Sequence, residues 1–191
     1  AAFKRGKLTD SILRVICTLG ISMPSFVVAS VLLVTLTGNN ALNLFPSIFN
    51  PSQGWRAYVL PCFALGFYPM CYTARQTRSA MLDSLSQEYI KTARAKGLKN
   101  KKIIFKHALR NALIPVITYL GPQVAFTLCG GFVVESVFSI PGLGRYFVQS
   151  IQNRDYPVIM GVCLLSAIVV LLGNLLTDIL YAVVDPTIKL Q

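Results

Sequence analysis

The chain has 191 residues, 54% of them hydrophobic and only 13% charged, with a mean hydropathy of +0.59. Charged residues make up about 25% of a typical soluble domain, so this composition excludes an ordinary soluble globular protein and points to a polytopic membrane protein. The formal net charge of +11 does not by itself imply nucleic acid, because the basic residues fall between apolar stretches.

The chain opens on Ala1-Ala2-Phe3-Lys4-Arg5-Gly6-Lys7, with no initiator Met and no apolar signal region. This reads as a start inside a longer gene product, with upstream sequence expected. Crossing a bilayer as a helix takes about 20 apolar residues, and four stretches are long enough: 11–36, 55–75, 112–134 and 158–184. Together they predict a single all-α transmembrane domain over 1–191. In the first stretch, Gly20 and Pro24 predict a bend, which membrane helices tolerate when neighbours satisfy the freed backbone groups. The connection from Thr37 to Gly54 is rich in Asn, Pro, Ser and Gly and reads as turns. The second stretch holds Pro61, Gly66 and Pro69 and is the least regular.

Residues 76–111 form a basic loop. In its first half Leu82, Leu85, Tyr89 and Ala93 recur at helical spacing, with Gln87, Lys91 and Arg94 on other faces. Gly97 offers a left-handed helix stop, and Asn100 an N-cap for a second short helix. That helix would carry Ile104, Phe105, Ala108 and Leu109 on one face and Lys102, Lys106 and Arg110 on another. Two short helices joined at a glycine make a compact knob suited to docking on a partner.

The third stretch contains Pro115, Gly121-Pro122 and Gly130-Gly131. Such residues either let helices pack closely or form an irregular wall of a substrate pathway. Pro141-Gly142-Leu143-Gly144, then Asn153-Arg154-Asp155-Tyr156-Pro157, predict a turn and a short interfacial helix before the last stretch, which has the longest clean apolar core. Trp55, Tyr58, Tyr146 and Tyr156 suit a membrane interface.

With four spans, the N-terminal segment, the central loop and the tail share one side of the membrane. They carry 15 of the 18 basic residues, leaving Arg56, Arg145 and Arg154 for the other side. The bias of Lys and Arg toward the cytoplasm then places the loop and both ends of this sequence in the cytoplasm. Binding to anionic lipid would account for the charge but not for two ordered helices broken at Gly97.

No catalytic or metal motif emerges. Gly6-Lys7 lacks the first glycine and the Ser/Thr of a phosphate-binding loop, and His107 is the only histidine, so multi-histidine metal sites are excluded. Ser22 is not in a nucleophile elbow. The cysteines, Cys17, Cys62, Cys71, Cys129 and Cys163, all sit in apolar stretches and read as buried free thiols. The reading is therefore of a non-enzyme. Acids are few, and Glu135 and Asp178 lie at or inside span ends, where a carboxylate is costly and often functional. Either can be a structural anchor or part of a transport path.

The segments Tyr89-Ile90-Lys91-Thr92-Ala93-Arg94-Ala95-Lys96-Gly97-Leu98 and His107-Ala108-Leu109-Arg110-Asn111-Ala112-Leu113-Ile114-Pro115 resemble the cytoplasmic coupling loop of ABC importer permeases, in the dipeptide, oligopeptide and nickel branch. Lys91-Thr92-Ala93 stands where the general importer pattern has E-A-A, and Gly97 is its glycine; the spacing to Pro115 exceeds that of sugar-type importers. Glu135 to Gly144, Asn153 to Pro157, and Asp178, Tyr181 and Asp185-Pro186 also resemble that branch, so the likeness covers nearly the whole chain. It is strongest to the first permease subunit of oligopeptide importers.

The resemblance implies a type I importer fold of six membrane helices, four of them here. It also implies a sister permease forming a heterodimer, two P-loop ATPase subunits that bind the ATP and Mg, and an extracytoplasmic solute-binding protein. This chain would bind no cofactor and no nucleic acid. Glu88, Tyr89, Thr92, Ala93, Arg94, Ala95, Lys96, Gly97 and Leu98 would form the coupling helix that docks on an ATPase. The substrate read from the resemblance is an oligopeptide, with dipeptides, nickel or another small solute as the alternative within the family. From other classes, an ion-gradient-driven secondary transporter is disfavoured by the scarcity of intramembrane acids and of an obvious inverted repeat. A nucleic-acid-binding scaffold is disfavoured because Tyr89 and Phe105 are too sparse for a stacking platform.

Overall fold

A computed structural model describes residues 8–37, 42, 44–128 and 131–184, with the side chains of 128 and 180–184 outside the description. Lys4, Arg5, Lys7, Cys129, Gly130, Asp185, Pro186, Lys189 and the side chain of Tyr181 therefore lie outside the described residues. Among the described residues every regular element is helical.

The first apolar stretch is two helices, α1 (Leu8–Ser22) and α2 (Ser25–Leu36), which meet at an angle of 106°. Pro24 sits between them in an extended conformation (φ −59°, ψ 144°). The turn is far sharper than a kink in one crossing helix, so the stretch is a broken span or a re-entrant element. Gly20 lets α1 approach the next long helix, because a Cβ there would collide with Cys71 Sγ.

A short turn, Pro51–Gln53, leads into α3 (Arg56–Ser86). Its 31 residues span about 46 Å at 1.5 Å per residue, against a hydrocarbon core of about 30 Å. The helix does not stop near residue 75 as the apolar stretch predicts. It continues through Arg75 and Arg78 into the basic loop, and Pro61 and Pro69 do not break it. Gln87, with extended ψ of 154°, ends α3 and starts α4 (Glu88–Ala95).

After Gly97, α5 (Asn100–Lys102) runs through a π turn (Ile103–Ala108) into α6 (Leu109–Leu128). Asn100 is the first helical residue and not the cap; Lys99 holds the cap position without a side-chain cap bond. The π turn alters the predicted face in part. Hydrogen bonds between residues five apart (Leu109 N–H to the Ile104 carbonyl) bring Ile103 and Ala108 onto one side. Those two are buried, while Phe105 is 69% exposed. A 3.6-residue period read across this segment places Ala108 in the core and Ile104 and Leu109 against it, but it wrongly includes Phe105 and omits Ile103.

The chain then forms α7 (Phe132–Phe138), α8 (Leu143–Asn153) and α9 (Tyr156–Val184). By length and composition Tyr156–Ile179 can cross a bilayer as one helix; α1 with α2, and Asn100–Thr127 with α7 (bent 48°), qualify as broken pairs. α3 has the length, but its prolines and tyrosines make it less apolar than these.

Two apolar clusters sit near opposite ends of α3. One joins Val28 and Ala29 of α2, Leu60 and Ala64 of α3, and Val134 and Phe138 of α7. The other joins Met81 of α3, Ile90 and Ala93 of α4, Ile103 and Ala108 of the π turn, and Ala112 of α6. Small residues bring α6 against α9, since a Cβ on Gly121 would strike Thr177 and one on Gly173 would strike Ala125. Of the described cysteines only Cys71 is buried; Cys17 is half-buried, and Cys62 and Cys163 sit on outward apolar faces of α3 and α9.

Candidate functional site

The basic loop folds as a braced knob on the end of α3. Ile90 and Ala93 point α4 inward, and Leu98 packs against the same cluster. This differs from the predicted face, in which Tyr89 was an apolar anchor beside Ala93. The break at Gln87 rotates α4 relative to α3, so Ile90 takes the core position and the Tyr89 ring is partly exposed.

Tyr89 instead contributes its hydroxyl to a polar chain. Asn111 Nδ2 donates to the Tyr89 oxygen at 3.0 Å, and Ser84 Oγ donates to the Ala108 carbonyl at 3.0 Å. Ser84 has one hydroxyl hydrogen, already directed at Ala108, so the 2.5 Å contact between Tyr89 and Ser84 is the phenol donating to Ser84 Oγ. The chain Asn111 to Tyr89 to Ser84 to Ala108 ties α3, α4, the π turn and α6 together.

The end of α4 is a Schellman stop. Gly97 N–H bonds the Arg94 carbonyl (2.9 Å) and Leu98 N–H bonds the Ala93 carbonyl (3.3 Å). Gly97 has φ +73°, the left-handed conformation that its sequence position predicts. A Cβ there would meet nothing within 4 Å, so conformation and not space selects glycine. The outer face of the knob presents Glu88, Lys91, Thr92, Arg94, Ala95 and Lys96 to solvent. Lys91 Nζ pairs with Glu88 at 2.7 Å, and Thr92 Oγ1 bonds the Glu88 carbonyl at 3.2 Å. Of the predicted coupling residues, Ala93 and Leu98 hold the knob together, Tyr89 braces it, and the others form its surface.

Sequence reasoning passed over a second feature. Asp10 of α1 is completely buried and takes a bidentate grip on Arg78 of α3, Nε to Oδ1 at 2.7 Å and a terminal nitrogen to Oδ2 at 2.8 Å. Arg14 adds a contact at 3.3 Å. Hydrogen bonding to Asp10 raises the Arg78 pKa further above its already high ordinary value, so Arg78 stays charged at every physiological pH. The one available sequence signal was a lone acid inside a basic N-terminal segment.

Glu135 is buried on α7. Its carboxylate accepts the Arg145 backbone N–H at 3.1 Å, at the start of α8, where the helix dipole favours negative charge. A Cβ on Gly142 or Gly144 would press on that carboxylate. Glu135 thus ties α7 to the first turn of α8. Asp178 lies on an exposed face of α9 beside the buried Thr177, far from Glu135 in sequence and on a different helix.

At the α1–α2 break lies a cleft of about 350 Å³, lined by Met23, Pro24, Tyr68, Gln123, Thr127 and Gly131 among others. Its polar groups are uncharged. α6 therefore packs on α9 through Gly121 and also faces this cleft through Gln123 and Thr127, so packing and cavity-lining share one helix. Among the described residues no group of His, Cys, Asp or Glu could hold a metal ion.

Broken apolar helices, long membrane-scale helices and a braced basic knob define a helical membrane domain. The chain belongs to the family of binding-protein-dependent transport system inner membrane components, which matches residues 1–190. It is 47% identical over its whole length to the dipeptide transport system permease protein DppB of Bacillus subtilis (strain 168), covering 61% of that protein. It is 45% identical to the oligopeptide transport system permease protein AppB of the same strain, with 90% of this chain matching 56% of that one. It is 41% identical to the glutathione transport system permease protein GsiC of Escherichia coli (strain K12), over 99% of this chain and 60% of that protein. The chain spans about three-fifths of the length of these relatives.

Proposed function

We propose that this chain is part of a permease subunit of an ATP-driven importer that moves peptides into the cell, with α4 as the element through which separate ATPase subunits act. The observation that carries this reading is the braced knob: an eight-residue helix with a polar outer face, a Schellman stop and a buried core beneath it. A rigid knob transmits a push from a docked ATPase into α3 and α6, and a floppy basic loop would not. ATP and Mg are bound by those partner subunits, a sister permease completes the pathway, and an extracytoplasmic binding protein delivers the substrate. The loop and both ends of the described chain face the cytoplasm, four stretches cross the membrane, and the coupling surface is Glu88 to Leu98. Peptide substrates are favoured because the relatives named above are dipeptide, oligopeptide and glutathione permeases, and the uncharged polar cleft suits a peptide backbone.

The test is Gly97→Val in the full-length protein with its partners. A β-branched residue in the left-handed region costs about 1–2 kcal/mol and meets no steric obstacle, so only the stop is disturbed. Assembly and basal ATP hydrolysis should survive while peptide uptake per ATP falls severalfold. Unchanged coupled uptake would sink the coupling role of α4.

A further inference from the structure

We propose that the groove between α1 and α3 at the arginine-bearing end of the bundle binds the headgroup of an anionic phospholipid. This inference rests on the orientation given above, in which that end faces the cytoplasm.

The groove has a volume of about 410 Å³, and Arg14, Arg75 and Arg78 line it with Leu13, Cys17 and Ser79. Three arginines from two helices thus line one space. Asp10 is the carboxylate beside them: it grips Arg78 on two nitrogens and reaches Arg14 at 3.3 Å. The carboxylate of α3, Asp83, lines a separate cleft with Gln76, Gln87 and Asn111. Among the described residues, one carboxylate stands against three arginines there, an excess of about two positive charges. Arg75 makes no ion pair among the described residues.

Asp10 also fixes the geometry. It holds Arg78 in the floor of the groove, 21% exposed, while Arg14 stands at the rim, 59% exposed. Planar guanidinium groups match phosphate oxygens with paired hydrogen bonds, which an ammonium cannot do. The flank of the groove is apolar. Leu13 lines it, and Ile12, Ile16 and Leu19 continue an exposed apolar surface along α1. A phosphate among the arginines would therefore leave acyl chains running along α1. A free phosphate would use the arginines and leave that surface bare. Basic pockets between membrane helices on the cytoplasmic side fit anionic headgroups in this way.

The experiment uses the assembled full-length transporter, reconstituted in phosphatidylcholine doped with phosphatidylglycerol and released in mild detergent for native mass spectrometry. The wild-type complex should retain phosphatidylglycerol in preference to phosphatidylcholine. Arg75→Gln should cut that preference about fivefold, and Arg14→Gln with Arg75→Gln about thirtyfold, taking each basic group near the surface at its usual weight. Arg75→Lys should restore part of it. Equal retention of the two lipids by wild type, or no change in Arg75→Gln, would overturn the proposal. Displacement of the retained lipid by millimolar inorganic phosphate would also overturn it, as a free-anion site. Peptide uptake is measured on the same preparations. Intact ATP-driven uptake without lipid preference defeats only the lipid site, whereas no ATP-driven uptake in any lipid defeats the coupling reading on which it rests.

Discussion

The arginine-bearing end of the bundle and helix α9 are held by different physics. At the first, polar side chains clamp helices across long stretches of sequence. Asp10 grips Arg78 from 68 residues away, and the Ser84 hydroxyl reaches Ala108 from 24. Helix α9 relies on close contact between small residues. It meets α6 along a seam of Gly121, Ala125, Gly173 and Thr177, and almost none of its apolar stretch is buried. Leu164, Leu171 and Leu176 stand outward. In a bilayer, lipid tails solvate such a surface as well as leucines do, so packing shape and not hydrophobicity holds the seam. One end brings its own rigidity; the other is completed by what surrounds it.

The largest effect should come from breaking the ion pair, and its asymmetry sharpens the contrast. Arg78→Ala removes the bidentate partner of the fully buried Asp10 carboxylate, leaving Arg14 at 3.3 Å, and should cost about 2–3 kcal/mol. Asp10→Ala should cost less, because Arg78 is partly exposed and can turn its guanidinium to water. Thermal unfolding of the two purified variants gives the order; the reverse order would mean that Asp10 is solvated in the assembled protein.

The seam is tested by a pair of glycines. Gly121→Ala forces a methyl into Thr177 and should cost about 1–3 kcal/mol by overpacking. Gly161, on the same helix as Thr177, has nothing within 4 Å of an added Cβ, and Gly161→Ala should be neutral or gain up to about 1 kcal/mol of helix propensity. Equal effects at the two positions, in the same unfolding assay, would remove the seam as the contact that matters.

The smallest of the three is Ser84→Ala. It deprives the Tyr89 hydroxyl of an acceptor and the Ala108 carbonyl of a donor, and should cost about 1 kcal/mol. Faster amide exchange confined to α4 and the π turn would accompany it. Exchange unchanged there would show that the apolar cluster alone holds the knob.

Much of this architecture was legible. Gly97 read as a left-handed stop, and the structure gives it φ +73°; Pro141-Gly142 read as a turn before a short helix, and α8 follows it. The basic loop read as two short helices, with Leu85, Ala93, Ile104, Ala108 and Leu109 rightly on inward faces and Tyr89 and Phe105 wrongly so. Tyr89 and Phe105 were placed with the apolar residues because a uniform 3.6-residue period was assumed. The break at Gln87 and the π turn at Ile103–Ala108 both shift the phase, and neither leaves a mark in hydropathy.

The sequence by itself determined the class of protein, the helical stretches, the segregation of basic residues and the position of the glycine stop, because these depend on local propensity and on transfer of apolar groups out of water. Tertiary structure alone decided that the first stretch turns by 106°, that α3 runs on into the knob, and that Asp10 finds Arg78. Those outcomes depend on which distant groups meet, and a carboxylate or a hydroxyl carries no record of its partner until the helices that bear them are packed.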